Sequence, residues 1–158
     1  MADSFSLFET FVRKASNYTE ARSEPVGGLH PFDERNIHPK VDVVAKRLYD
    51  DGYYSQATFE AYKLIDKEVA MLSKLNESGV KLMMTAFNEQ QPLIKLSDTG
   101  TLSGKDEQLG YRNIFAGAMS AIRNPRGHEH SLYETPTQCL DYLSLASMLL
   151  RRLENAIS

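Results

Sequence analysis

The chain has 158 residues, of which 42% are hydrophobic and 25% are charged, with a formal net charge of −3 and a pI near 5.8. This length and composition predict a single globular domain with a substantial core. The acidic balance argues against a protein that coats nucleic acid through a broad basic surface. Any nucleic-acid contact is therefore expected at a local cleft that holds a few phosphates.

The sequence predicts no membrane segment, metal site or organic cofactor. No apolar run approaches the roughly 20 residues that cross a bilayer, and the first residues lack the pattern of a signal peptide, so we expect a cytoplasmic protein. The single cysteine, Cys139, excludes an internal disulfide, and its apolar helical surroundings predict a buried core residue. His30 and His38 have no acidic or cysteine partners in register, and we interpret them as surface or local packing residues.

Residues 1–39 are predicted to form a short helix followed by a loop or arm. Apolar residues recur at helical spacing from Phe5 to Val12, and beyond Ala15 proline and glycine interrupt a polar stretch. Residues 40–158 are expected to form the helical domain, with the whole chain making up a single domain.

Three helices are predicted next, over residues 40–51, 55–76 and 80–87. Gly52 suits the position after the first of them. The second has an apolar face wider than a surface helix needs, which predicts a central helix contacted from more than one side.

Two further helices follow a polar loop over residues 88–104. Asp106 is expected to cap a helix that runs to Ile122 or Arg123, and Thr137 is expected to start the last helix. Small residues over 116–121 permit close approach of another helix, within the subunit or across a dimer interface. The chain shows no strand alternation of useful length, so we predict an all-α fold, a bundle of four or five main helices with long loops.

Residues 121–130, with the sequence AIRNPRGHEH, are called here the Arg/His stretch. Pro125 disfavours helical conformation in the residue before it, so the helix is expected to end at or before Asn124, and Gly127 permits a tight reversal. Arginine and histidine together suit phosphodiester chemistry, which needs a fixed cation and a group that transfers protons near neutral pH. The same residues also fit a simple helix stop, since cations are favoured in a last helical turn.

The Arg/His stretch resembles the signature of HEPN domains, which is an arginine, an adjacent polar residue and a histidine after four to six intervening residues. Arg123, Asn124 and His128 match the four-residue spacing, and His130 matches the six-residue spacing. The position is also similar, between the penultimate long helix of a bundle and a final apolar helix.

Other blocks resemble the "hypothetical Ymh" family of prokaryotic and phage proteins. In chain order these blocks are Gly28–Pro31, Leu48–Ala57, Phe59–Lys63, Gly79–Met83 with Ala86 and Phe87, Phe115–Met119, and Ile122–Pro125. They extend over most of the chain up to the Arg/His stretch.

These resemblances imply an HEPN-like helical bundle and a metal-independent RNA endonuclease that acts in phage defence or as a toxin. They also imply a homodimer whose two Arg/His stretches line one cleft. Toxin-type relatives often carry His-x-Tyr after the arginine, and the tyrosine position is His130 here. This departure argues against control by an antitoxin that modifies the tyrosine, while the resemblance still leaves open an antitoxin of another kind or a partner protein of a defence system.

The implied reaction is attack of an RNA 2′-hydroxyl on its own adjacent phosphate, which leaves a 2′,3′-cyclic phosphate and would spare DNA. His128 is the candidate general base or acid, because the pKa of an unperturbed histidine, about 6.5, suits proton transfer at neutral pH. Arg123 would hold the non-bridging oxygens as charge develops. Asn124 would orient His128 or bind phosphate.

Auxiliary roles are expected for three further residues. Arg126 would contact the RNA backbone or be a surface turn charge. His130 would be a second proton-transfer group or a solvated side chain, and Glu129 would hydrogen-bond a histidine or have no role.

Two alternatives to the nuclease stay open. One is a non-catalytic HEPN dimer that serves as an RNA-binding, nucleotide-binding or protein-interaction module of a defence system. The other is a structural dimer in which the Arg/His stretch only ends a helix.

Overall fold

The computed structural model describes residues 28–128 and 132–156, and a compact helical unit begins at Pro31. The helix predicted over residues 5–12 and most of the predicted arm lie outside the described residues, as do Glu129 and His130. The helices of the unit are α1 (Pro31–Glu34), α2 (Pro39–Asp50), α3 (Tyr54–Ser73), α4 (Gly79–Ala86), α5 (Leu102–Ala118), a π-helical turn (Met119–Arg123), α6 (Asn124–His128) and α7 (Pro136–Glu154).

The described residues form helices and no β-strand, which confirms the all-α prediction. No helix among them is both long and apolar enough to span a bilayer. The prediction of a loop up to residue 39 was wrong for Pro31–Glu34, which form α1. Phe32 on this helix is buried in the core.

Helix α3 is the centre of the bundle. It packs against α2, α4, α6, α7 and the π-helical turn, which confirms the central helix inferred from its wide apolar face. Tyr62 is fully buried, and its hydroxyl donates a 2.9 Å hydrogen bond to the carbonyl oxygen of Tyr142 in α7. Because the hydroxyl is paired, the buried ring contributes its apolar surface without the cost of an unsatisfied polar group.

Backbone conformation accounts for the helix boundaries around α2 and α3. Gly52, which follows Asp51, the C-cap of α2, has φ +81°, as expected of a glycine at a helix end. The prediction that α3 continues to Asn76 was wrong by three residues, because Lys74 adopts a left-handed conformation with φ 58° and ends the helix after Ser73.

His38 has a structural role that its sequence context did not reveal. It is buried, and its Nδ1 accepts a 3.1 Å hydrogen bond from the backbone N–H of Lys40 as the N-cap of α2. Its Nε2 lies 3.0 Å from Oε2 of Glu154, and this hydrogen bond lowers the pKa of that carboxyl group. The surface interpretation of His38 was therefore wrong, whereas a local packing role agrees with the structure.

The loop between α4 and α5 is held by a buried glutamine. Gln108 accepts from the backbone N–H of Leu96 at 2.8 Å and donates to the carbonyl oxygens of Ile94 and Phe87 at 3.0 and 3.2 Å. The side-chain amide of Gln108 thus pairs three backbone groups that take no part in helical hydrogen bonds.

The start of α5 differs from the prediction. Asp106 was expected as the cap, but Thr101 is the N-cap and accepts a 3.0 Å hydrogen bond from the backbone N–H of Gly104. Gly104 packs so closely under the preceding loop that a Cβ atom there would lie 1.8 Å from the carbonyl oxygen of Asp98. Only glycine allows this approach, which lets the helix begin at Leu102.

Gly104→Ala is therefore expected to destabilise the protein by about 1–3 kcal/mol or more, because the loop backbone must move to admit the methyl group. The matched control is Gly110→Ala on the same helix, where an added Cβ meets nothing within 4 Å. That change should stabilise by roughly 0.5–1 kcal/mol through helix propensity. Urea unfolding measures both, and equal effects would contradict the close approach at Gly104.

Candidate functional site

The Arg/His stretch stays helical as far as His128. The prediction that the helix ends at or before Asn124 was wrong, since Asn124 has φ −63° and ψ −45° and begins α6. Its N–H donates to the carbonyl oxygen of Met119, five residues back. This wider turn changes the hydrogen-bond register just where Pro125 lacks an N–H and would clash in a regular α-helix.

Gly127 lies within α6 and makes no chain reversal, so that expectation was also wrong. A Cβ atom at this position would lie 3.2 Å from Cε2 of Phe59 in α3. The glycine thus permits α6 to pack closely on the aromatic ring.

Arg126 is a buried structural residue. Its Nε donates a 2.7 Å hydrogen bond to Oε2 of Glu134, its Nη1 donates to the carbonyl oxygen of Ile122 at 2.7 Å, and its guanidinium lies 4.6 Å from the ring centroid of Tyr142. The side chains of Arg126 and Glu134 are only 9% and 2% exposed. This pairing leaves little of the guanidinium for an RNA phosphate and excludes a solvated turn charge.

Glu134 extends the pair into a buried polar network. Its Oε1 accepts from the hydroxyl of Thr58 in α3, which lies 3.5 Å from Sγ of Cys139. Cys139 is fully buried, as predicted, and burial raises the pKa of its thiol to about 12. The network ties α6 and the segment before α7 to the central helix.

Arg123 differs from Arg126 in that no carboxylate pairs with it in the part of the chain that the structure describes. Among the described residues its only hydrogen bond goes from Nη1 to Oδ1 of Asn124, at 3.2 Å, and its Nε is buried without an acceptor. Arg112 and Arg152 also have a buried, unpaired Nε, but each forms an ion pair with a glutamate. A half-buried guanidinium whose one hydrogen bond within the described residues goes to a neutral amide is suited to bind an anion.

The guanidinium of Arg123 lies over the aromatic ring of Phe59. The guanidinium of Arg123 is 5.8 Å from the ring centroid, and Nζ of Lys63 is also 5.8 Å from it. Lys63 forms an ion pair with Glu60 at 2.9 Å, since residues three apart on one helix are neighbours. Arg123, Lys63 and Gly127 therefore gather around one half-buried ring.

His128 is exposed at the end of α6, and its ring makes no hydrogen bond to any residue of the described part of the chain. Helical positions 123 and 127 share a face, consistent with their common contact to Phe59, whereas positions 123 and 128 lie about 140° and ~7.5 Å apart on an ideal α-helix. The structure thus joins Arg123 and Asn124 by a hydrogen bond, and ideal helix geometry predicts that His128 lies on a different side of the helix. Glu129 and His130 fall outside the described residues.

Sequence reasoning missed Phe59 and Glu134. Phe59 reads as one of many apolar residues on α3, although it lies inside a block that resembles the Ymh family. Glu134 directly precedes Thr135, the N-cap of α7, and nothing in its neighbourhood along the chain indicates a buried carboxylate.

The small residues of α5 divide between two faces. Ala116 and Ala118 are buried, whereas Gly110, Gly117, the larger Ile114 and, in the π-helical turn that follows α5, Ala121 are exposed. We call these four exposed residues the outer face of α5. Their spacing of four, three and four residues places them on one side of the helix, which leads towards the Arg/His stretch.

A protein-family model described as "Protein of unknown function (Hypoth_ymh)" matches residues 35–153. Neither the curated proteins nor the solved structures contain a match to the chain.

Glu134→Ala is expected to destabilise the protein by about 3–5 kcal/mol, because it leaves the Arg126 guanidinium buried without a partner. The double variant Arg126→Met/Glu134→Leu removes both charges and should recover most of the loss. As a control, Glu77→Ala breaks an exposed pair with Lys81 and should change the unfolding midpoint little. Similar midpoints for Glu134→Ala and Glu77→Ala would contradict the anchoring role of the buried pair.

Proposed function

The chain belongs to the Hypoth_Ymh family, and we propose that it is a metal-independent endoribonuclease of the HEPN type that acts in phage defence or as a toxin. The observation that carries the proposal is the half-buried guanidinium of Arg123, which has no carboxylate partner among the described residues. A phosphate would supply the missing negative charge, and the adjacent Asn124 amide would help to hold the arginine in place.

The proposed reaction needs no nucleophile from the protein. The RNA 2′-oxygen forms a bond to the adjacent phosphorus while the bond to the 5′-oxygen breaks, giving a 2′,3′-cyclic phosphate and a free 5′-hydroxyl. A general base takes the 2′-hydroxyl proton and a general acid protonates the leaving 5′-oxygen. Arg123 stabilises the charge on the non-bridging oxygens, and His128 supplies one of the two proton-transfer groups.

The cleft is proposed to combine two copies of the chain. The angular separation of positions 123 and 128 on one helix argues that a phosphate at Arg123 meets a histidine from the second copy. The exposed outer face of α5 supports this arrangement, because glycine and alanine permit close helix approach. His130 and Glu129 keep their auxiliary roles as predictions, whereas Arg126 holds α6 in place.

A second function, RNA or nucleotide binding without cleavage, is favoured by one observation. The His128 ring has no hydrogen-bond partner in the described part of the chain to fix its tautomer and direction, and such a partner usually orients a catalytic histidine. In that case Arg123 would bind the phosphate and His128 would be dispensable.

The purified protein is expected to cleave single-stranded RNA in excess chelator and to leave the all-deoxy strand intact. Arg123→Ala should reduce the cleavage rate by roughly 10²–10³-fold and His128→Ala by roughly 10²–10⁴-fold. Arg123→Lys tests whether charge alone suffices, since lysine lacks the planar fork. Arg47→Ala is the matched control, because that side chain is 95% exposed on α2, and it should leave the rate unchanged.

Three results would refute the nuclease proposal: cleavage that requires added metal, cleavage of the deoxy strand, or full activity in both site variants. Binding that needs Arg123 but not His128, without cleavage, would favour the second function. Circular dichroism of each variant separates loss of the site from loss of the fold.

The proposed dimer predicts that Gly117→Arg abolishes both association and cleavage. An added Cβ at Gly117 meets nothing within 4 Å in the subunit, so the arginine should leave the fold intact while blocking the outer face of α5. Val43→Arg, at an exposed position on α2, serves as the matched control. Sedimentation equilibrium should report a monomer for the first variant only, and a dimeric Gly117→Arg protein would rule out this interface.

A further inference from the structure

A cavity of about 540 Å³ lies between α3, α7 and the loop that contains Pro92–Lys95. Two of its α3 residues, Met71 and Leu72, come about 12 residues after Phe59, which is roughly 18 Å along the helix axis. We call it the distal cavity, because neither the Arg/His stretch nor Phe59 lines it.

The distal cavity exposes large apolar side chains that the fold leaves uncovered. Met71, Leu72 and Leu93 line it and are 64%, 48% and 54% exposed. Single exposed apolar residues are ordinary on a protein surface, but several that line one concavity are typical of a binding site. Below them Leu150 and Leu153 belong to the buried core, so the floor of the cavity is apolar as well.

Four charged residues line the same cavity, and only one of them lacks a partner in the described part of the chain. Nζ of Lys40 is 2.8 Å from Oε2 of Glu68 and 3.8 Å from Oε1 of Glu154, whose other oxygen faces His38. Lys95 is exposed and forms no such pair. Both carboxylates are already paired with Lys40 or His38, so within the described residues Lys95 is the charged group beside the apolar surface that can pair with a ligand.

We propose that the distal cavity binds a small amphipathic anion, an apolar chain with a single carboxylate. The chain would cover Met71, Leu72 and Leu93, and the carboxylate would pair with Lys95. The volume falls within the ~300–1,000 Å³ range of small-molecule sites. A two-turn helix, about 11 Å long and at least 10 Å across, would overfill it, so the size favours a small ligand over a partner helix.

Methyl-labelled methionine gives a direct test, because Met71 lines the cavity whereas Met84 and Met148 are partly exposed elsewhere. Titration of the full chain with decanoate, below its micellar concentration, should shift the Met71 resonance saturably and leave those of Met84 and Met148 in place. Decanol, which has the same chain without the charge, should bind more weakly.

Lys95→Ala should weaken decanoate binding by about three- to tenfold and leave decanol binding unchanged. Lys105→Ala, which removes an exposed lysine outside the cavity, should alter neither. The proposal is overturned if Met71 does not shift, if all exposed methionines shift together, or if Lys95→Ala binds decanoate as tightly as the parent protein. Arg123→Ala should bind decanoate normally, so this test is independent of the nuclease proposal.

Discussion

The buried ion pair between Arg126 and Glu134 is the interaction on which the geometry of the candidate site depends. Its two side chains are almost fully covered, and an ion pair in such a place is stable only when its remaining polar atoms are also satisfied. The carbonyl oxygen of Ile122 and the hydroxyl of Thr58 meet that requirement. Helix α6 is therefore held against α3 in one orientation, and the orientation of Arg123 follows from it.

Arg123 and Arg126 lie three residues apart but differ in their hydrogen-bond partners. Arg126 meets a carboxylate and is neutralised inside the protein, whereas Arg123 meets an amide oxygen and the face of Phe59. The π-helical turn between α5 and α6 contributes to this difference, because it changes the helical register just before Pro125. A cation that is fixed by packing but not neutralised retains its charge for an anionic ligand.

The molecule presents two surfaces of different chemistry on the same central helix. Near the start of α3, the ring of Phe59 lies against the cationic groups of Arg123 and Lys63. Near the end of α3, Met71 and Leu72 open into the distal cavity, whose charges are mostly paired. The rigid helix between them fixes their separation, so each surface can be altered by substitution without direct contact with the other.

Local sequence patterns were sufficient to predict the helical class, the central position of α3 and the burial of Cys139. These features depend on the spacing of apolar residues along the chain, which is local information. Helix boundaries were less predictable. Asp106 is a plausible cap by residue type, but Gly104 fits under Asp98 and lets Thr101 cap the helix earlier. Pro125 predicted a helix end from residue type alone. In the structure the π-helical turn accommodates the proline, and the chain stays helical.

The sequence by itself determined that Arg123, Asn124, Arg126 and His128 would lie close together along the chain at the end of a long helix. Only the tertiary structure decided which arginine is neutralised, because Glu134, Thr58 and Phe59 come from other segments. It also decided that His128 is exposed at the end of α6. The physical reason is that burial and ion pairing depend on neighbours in space, whereas periodicity and turn preference depend only on neighbours in sequence.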